Sequence, residues 1–585
     1  MLPLRAPAAS DGYDLFPNHD IGPDRIDIGY QELGERLARL ALDRGAATVI
    51  IDGNTAVDWA ALRRGVGPAL ENLLGVVSWI DARDGWRSEA EIDAHVAPHL
   101  TDDPLFGHRY PGTLRDLVDT ASLAEAIRAG RLEGRTVVVA GPTAAILHEP
   151  TVHDIVAHVD VPKNEVQYRQ RAGAVSNLGR RTPLDPKHAY KRSYFVDWPL
   201  EAAHLGALLP RLDLFIDAQR PDDPTFMTGE HLREALGGLA RGPVRARPWF
   251  EPGAWGGQFL QQHVPALPQE RNYAWSFELI SPENGLILAS NGILLEIPFD
   301  LLLLADAGAV LGEHAQRFGP YFPIRFDYLD TMEGGNLSLQ CHPSPDYALR
   351  HFGERITQNE TYYIARARPG AEVYLGFHKG VDSHAFRRAV EDAHRTGGPL
   401  DVRAYVRTLP ARRHDLFLIP HGTVHSAGRG SLVLEISATP YIFTFKIYDW
   451  QRLDLDGHPR TINVERAFEN LRFDHAGDVV DQSLVSRPRV VETGPLHRTV
   501  HLPTHPDHFY DVHRLELDGP TDLDVHGGVH VLNIVEGKGA RVTTEAGITR
   551  TYHETETFIV PAAARSYLLE PLDGSAKVVK AYLKE

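Results

Sequence analysis

The chain has 585 residues, 43% hydrophobic and 24% charged, with one cysteine and a formal net charge of -18. That length exceeds a single ordinary core and implies two to four domains of roughly 100 to 200 residues each, while the apolar content excludes a disordered chain. The acidic balance, with no compact Lys/Arg stripe, argues against nucleic acid and anionic membranes as partners, and Cys341 alone cannot form an intramolecular disulfide.

The start of the chain, Met1-Leu-Pro-Leu-Arg-Ala-Pro7, lacks the apolar stretch of a secretory signal, so a cytoplasmic protein is expected. The first half reads as α/β. The apolar runs Ala47-Thr-Val-Ile-Ile-Asp52, Thr136-Val-Val-Val-Ala140, His158-Val-Asp-Val161 and Leu212-Asp-Leu-Phe-Ile-Asp217 alternate with helical patterns such as residues 30–42. Such alternation favours a parallel sheet with helical crossovers, a doubly wound domain over residues 1–243. Beyond about Pro243 the texture turns to short β-type segments with Gly-Gly pairs at 256–257, 334–335, 397–398 and 527–528. The most apolar stretch, Ile293 to Leu304, is cut by Glu296, Pro298 and Asp300 and belongs in a core. Two strand-rich regions, about 321–450 and 510 to the end, predict tandem β-barrels, with domains at 244–470 and 471–585.

Within the first of these lies Asn336-Leu-Ser-Leu-Gln-Cys-His-Pro343, followed eighteen residues after its histidine by Glu360 and later by Gly422-Thr-Val-His425. On a strand, Gln340 and His342 share a face while Cys341 points away. Imidazole, amide and carboxylate ligands converging in a barrel suit Zn2+ first, with Fe2+, Mn2+, Co2+ or Ni2+ as alternatives. In a chain with 30 histidines a Gln-x-His pair also arises by chance, so the pair needs its surroundings.

Those surroundings are Arg247-Pro-Trp-Phe-Glu-Pro-Gly-Ala-Trp-Gly-Gly-Gln258, Tyr273-Ala-Trp-Ser-Phe-Glu278, Phe322-Pro-Ile-Arg-Phe-Asp-Tyr-Leu-Asp-Thr331, Asn359-Glu-Thr-Tyr-Tyr-Ile364, Ala371-Glu-Val-Tyr-Leu-Gly-Phe377, Leu418-Ile-Pro-His-Gly-Thr-Val-His425 and Tyr448-Asp-Trp450. In order and spacing they resemble the class I mannose-6-phosphate isomerases of the cupin superfamily, from about residue 245 to the end. The resemblance implies a metal held by Gln340, His342, Glu360 and His425, and interconversion of an aldose and a ketose through a cis-enediol. Such a reaction needs a Lewis acid, a general acid/base near the two carbons and a cation for developing charge or phosphate.

By the same resemblance Glu435 stands where the family has an active-site acidic residue, although it reads equally as a structural carboxylate. Lys446 stands in place of a catalytic arginine and cannot make a guanidinium's bidentate contact. Gln358 and Asp327 occupy positions where lysines are common. Ser338 matches a serine that contacts phosphate in some relatives, or is a satisfied strand residue. Arg325 and Arg452 are candidate replacements for the missing cations, or members of structural ion pairs. His421 replaces an alanine and either lines the pocket mouth, replaces a ligand or faces solvent, and His526 and His530 read as structural.

In the N-terminal region, Val49-Ile-Ile-Asp-Gly53 resembles the opening of a P-loop kinase, and Val137-Val-Val-Ala-Gly-Pro142, Val159-Asp-Val-Pro162 with Arg169 and Arg171, and Leu214-Phe-Ile-Asp217 resemble later parts of uridine-kinase-like proteins. The loop Asn54-Thr-Ala-Val-Asp-Trp59 lacks the Gly-Lys-Ser/Thr that holds phosphates, so a degenerate kinase-like domain without phosphoryl transfer is expected. It would bind a regulator, hold a dimer together or act as scaffold. The function implied for the whole chain is metal-dependent isomerisation of mannose 6-phosphate. The alternatives are a sugar-binding regulatory protein with altered chemistry, or an isomerase of an unphosphorylated or different sugar. Expected partners are a small sugar or sugar phosphate and, for a homo-oligomer, further copies of the chain.

Overall fold

The computed structural model describes residues 1–8, 12–132, 135–147, 151–453, 457 and 460–585. The chain divides into two compact units, one of Met1–Ala8, Phe16–Leu239 and Pro282–Asp306, the other of Ala9–Leu15, Ala240–Ser281 and Ala307–Glu585.

The first unit is built on five parallel strands, β1 (Thr48–Gly53), β2 (Val77–Asp81), β3 (Thr136–Ala140), β4 (Ile155–Asp160) and β5 (Leu214–Asp217), in the order β2-β3-β1-β4-β5, extended by two antiparallel strands beyond β5. β1 and β4 are buried at every residue, as continuous apolar runs must be when helices cover both faces of a sheet. One covering helix, α1 (Tyr30–Arg44), buries Leu33, Leu37, Ala38 and Ala41 at helical spacing and ends at Gly45, whose φ of 62° closes the last turn. The loop after β1 runs through Asn54, whose side chain donates to Asp160 Oδ1 (2.8 Å) and the Val161 carbonyl (3.0 Å), in place of any phosphate-gripping lysine.

The expected boundary near 243 is corrected by one segment. Gly285–Ser290 and Ile293–Pro298 form a hairpin that pairs in parallel with Asn18–Asp20, so Pro282–Asp306 belongs to the first unit. Glu296, the charge that interrupts the apolar run, is 1% exposed and accepts from Gln219 Nε2 at 3.2 Å, while its backbone N–H donates to Asp217 Oδ2 at 3.0 Å. A buried carboxylate needs such partners.

The second unit contains two pairs of antiparallel sheets. The first pair carries the strands β6 (Trp275–Leu279), β7 (Ile324–Asp330), β8 (Leu339–Cys341), β9 (Glu360–Ala367), β10 (Glu372–Phe377), β11 (Val406–Pro410), β12 (Leu416–Ile419), β13 (His425–Ala427), β14 (Ser431–Ala438) and β15 (Phe445–Tyr448). One sheet runs β12-β9-β14-β7-β6 with Trp249–Glu251 at its edge, the other β11-β10-β13-β8-β15. A single core joins them, with Tyr362, Ile364 and Val433 from one sheet against Val373, Leu375 and Ala427 from the other. The same core includes Val480 and Leu484, so residues just past the expected division at 470/471 pack with the first barrel; the six-stranded sheet of the last barrel starts at Arg489. That barrel closes on its own core of Leu515, Leu532, Val542, Phe558 and Val578 among others. Among the described residues no helix is long and apolar enough to cross a membrane.

Candidate metal centre

Strand register brings the chemistry-bearing residues together. Across one sheet Arg325 of β7 pairs with Ser437 of β14, which pairs with Glu360 of β9; two residues along, Asp327 pairs with Glu435 and Glu435 with Tyr362. Because side chains alternate, these residues share the inner face. On the facing sheet Gln340 of β8 lies opposite both His425 of β13 and Lys446 of β15. Cys341 points the other way, its Sγ 3.8 Å from the Ala467 carbonyl.

His342, Glu360 and His425 are 0%, 1% and 0% exposed, and one ligand atom from each lies within 4.8 Å of the others. Glu360 Oε1 is 3.0 Å from His342 Nε2, and Oε2 is 3.3 Å from His425 Nε2. Both rings are oriented from behind: His342 Nδ1 is 3.1 Å from the Phe443 carbonyl and His425 Nδ1 is 2.9 Å from the Thr423 carbonyl. A carbonyl at Nδ1 places the proton there and turns an unprotonated Nε2 into the site, the orientation that metal-ligating histidines take. The Gln340 amide sits 3.3 Å from His425 Nε2; turned half a turn, it presents oxygen instead of nitrogen.

Two observations fit this set to a divalent cation. His342 Nε2 and Glu360 Oε2 are buried without a hydrogen-bond partner among the described residues, which is costly for groups of this kind. The local charge is also unbalanced. Arg325, Asp327, Glu360 and Glu435 are all at most 4% exposed, and three carboxylates against one guanidinium leave two negative charges away from water. Burial first, and then the charge of Glu360, raises Asp327 to about 6 against the lowering pull of Arg325.

Arg325 is committed to this cluster. It pairs with Glu435 and with Asp327 (3.2 Å), lies 3.8 Å from Glu360, and donates through Nε to Ser437 Oγ at 2.9 Å. Ser437 in turn donates to Glu435 Oε1 at 3.0 Å. Arg325 therefore neutralises carboxylates rather than standing open for a phosphate. Gln358, expected to be a lost cation, donates to Glu360 Oε1 at 2.5 Å and holds that carboxylate.

The positive charge lies on the other sheet. Lys446 is brought down to about 8 by burial and by Arg460, and Arg452 and Arg460 flank Asp449, Arg460 at 2.7 Å. Ser338 donates to the same carboxylate at 3.0 Å, so its hydroxyl belongs to this group. Sequence reasoning missed Asp449 and Arg460. Asp449 was visible beside Trp450, but nothing in the spacing tied it to Ser338, more than a hundred residues earlier. His421 lies 3.7 Å from Asp507 and donates its backbone N–H to Asn359, and its ring is not part of the His342, Glu360 and His425 cluster. His530 is buried with Nδ1 3.0 Å from the Tyr567 hydroxyl, and His526 is exposed beside Asp524.

Residues 29–241 match a family described as "Domain of unknown function (DUF8485)", so the expected kinase likeness of that region has no support. The rest of the chain has relatives named as mannose-6-phosphate isomerases. It is 26% identical over 334 residues to a probable mannose-6-phosphate isomerase, GmuF, of Bacillus subtilis, covering 56% of this chain and 96% of the relative. It is 25% identical over 337 residues to the mannose-6-phosphate isomerase of Streptococcus mutans, covering 57% and 95%. A crystal structure of the mannose 6-phosphate isomerase from Bacillus subtilis aligns with 58% of this chain and 99% of its own at 19% identity, with a TM-score of 0.47.

Proposed function

We propose that the second unit is a metal-dependent aldose-ketose isomerase whose substrate is a sugar phosphate, mannose 6-phosphate being the first choice. The observation that carries this reading is the convergence of His342, Glu360 and His425, with Gln340 beside them, in a buried site that holds two uncompensated negative charges. These four residues would hold a divalent cation, Zn2+ first among the candidates, and the cation would supply Lewis acidity to the sugar oxygens at C1 and C2.

The remaining steps belong to the chain's own groups. Glu435 accepts the C2 proton of the aldose and returns it to C1 of the cis-enediol, while the hydroxyl proton moves between O2 and O1, so no atom is gained or lost. Arg325 pairs with Glu435, and Ser437 donates to it and fixes its direction. Lys446, which lies opposite Gln340, and Arg452 and Arg460, which share Asp449, carry a net positive charge that suits a phosphate better than a neutral sugar. This cluster favours a phosphorylated substrate over the unphosphorylated alternative, and Lys446 supplies the charge, though not the fork, of an arginine.

The test is isomerisation of mannose 6-phosphate by the purified, Zn2+-loaded chain, beside a panel of other sugar phosphates and free mannose. The reading expects fructose 6-phosphate from the first, with Glu435→Gln lowering turnover by roughly 100-fold or more at unchanged metal content. Binding without turnover across the whole panel would assign the site to a sugar sensor instead.

A further inference from the structure

The α/β unit contains a cavity that isomerase chemistry does not use. With the order β2-β3-β1-β4-β5, the chain leaves β1 toward β2 on one side and leaves β4 toward β5 on the other. Connections thus diverge at the adjacent carboxyl ends of β1 and β4, the switch point where open α/β sheets form ligand crevices. A cavity of about 50 Å³ lies there, bordered by Gly53 and Asn54 after β1, by His158 and Asp160 of β4, and by the helix Trp198–Leu208.

Its polar groups are incompletely matched. Asp160 is 7% exposed, and its Oδ2 has no hydrogen-bond partner among the described residues; Glu201 Oε1, on the helix, is likewise buried and unmatched. The nearest cation is already used, since Lys163 Nζ donates to the Pro282 carbonyl at 2.5 Å and to Asp300 at 3.1 Å. In the same wall His204 Nε2 lies 3.0 Å from Asp52, and His158 Nδ1 lies 3.6 Å from that same carboxylate without a hydrogen-bond partner among the described residues. Burial pushes Asp160 up to about 6 and Glu201 well above its ordinary range. The rest of the wall is largely apolar, including Trp198, Leu205 and Leu301.

Two open carboxylate oxygens in an apolar cavity select against anions, phosphates included. A bare metal ion is also a poor fit, because among the described residues only His342, Glu360 and His425 bring three ligand atoms of these types together. We propose that this cavity binds a compact organic amine, whose ammonium group donates to Asp160 and Glu201 while its carbon body lies against Trp198 and Leu205.

Calorimetric titration of the intact, metal-loaded protein tests this, with butylammonium chloride as the probe and butan-1-ol, sodium butyrate and inorganic phosphate as comparisons. Saturable binding of butylammonium alone is expected, weakened at least about tenfold in Asp160→Asn and in Glu201→Gln. Ala202→Phe, which fills the cavity and leaves both carboxylates in place, is expected to abolish it. Preferential binding of butyrate or phosphate overturns the proposal, as does amine binding unchanged by Ala202→Phe. Failure of the unaltered protein to saturate with amine by about 10 mM, beyond the millimolar Kd range, overturns it equally. None of these outcomes depends on isomerase activity.

Discussion

At the scale of single residues, the roles proposed for His342 and Lys446 separate binding of a cation from binding of a substrate. His342 presents an unmatched Nε2 to Glu360 and is held from behind by a carbonyl. His342→Ala should lower Zn2+ affinity by more than about 100-fold, since even outer partners of a ligand are worth 10–100-fold; metal analysis after dialysis checks this, and full retention of metal would remove His342 from the ligand set. Lys446 has been brought down to about 8, so its positive charge is present below that pH and lost as pH rises through it. KM for a sugar phosphate should therefore climb above about pH 8 while KM for the corresponding free sugar stays level. Lys446→Arg, whose guanidinium stays charged, should flatten that climb. A pH step identical for both substrates would place Lys446 outside phosphate recognition. The candidate ligands were legible in the sequence because Gln340, His342, Glu360 and His425 each sit in a short, ordered motif. The setting of Arg325 was not, because its three carboxylate neighbours come from three strands.

At the scale of elements, the turn before β13 decides where His425 stands. Gly422 has φ of 74°, and a Cβ there would lie 2.4 Å from the Asn470 carbonyl oxygen; its N–H donates to the His342 carbonyl at 2.9 Å. The turn thus links the segments of His342 and His425 through one backbone bond. Gly422→Ala combines a strained left-handed backbone with a backbone clash, and should cost about 1–3 kcal/mol of stability. It should also weaken metal binding, because the turn must shift. Denaturant unfolding and a metal titration of the same variant check both, and unchanged values would show that the turn relaxes without moving His425. β7, β14 and β9 read in sequence as apolar stretches with occasional charges. Only their pairing explains why Arg325, Asp327, Glu360 and Glu435 are tolerated inside.

At the scale of the whole molecule, the second unit stores acid sensitivity in buried histidines. His414, His475 and His513 are each lowered to about 4, by burial first and by neighbouring cations next. His414 lies among Arg514, Lys577, Arg413 and Glu536, His475 among Arg472, Asp474, His505 and His421, and His513 among Lys580, His501 and Asp511. In the unfolded chain each titrates near 6.5, so between about pH 6.5 and 4 the unfolded state binds more protons. Their contribution to stability is present above pH 6.5 and lost as pH falls toward 4. The melting temperature of the second unit should drop by about 5 °C or more across that window, and His414→Gln with His513→Gln should shrink the drop. A flat profile would mean that these rings are hydrated enough to protonate in place.

The sequence by itself marked the α/β-then-β succession, four candidate ligand positions, of which the structure gathers His342, Glu360 and His425 into one cluster, and the absence of a phosphate-gripping lysine after β1. These are local properties, carried by apolar periodicity and by motifs a few residues long. Tertiary structure alone decided that Pro282–Asp306 returns to the first unit, that Arg325 serves carboxylates while Lys446, Arg452 and Arg460 gather around Asp449, and that the ends of β1 and β4 enclose an acidic cavity. Each depends on strand order and register. A strand's neighbours are set by the burial of whole sheets, over separations that no local pattern records.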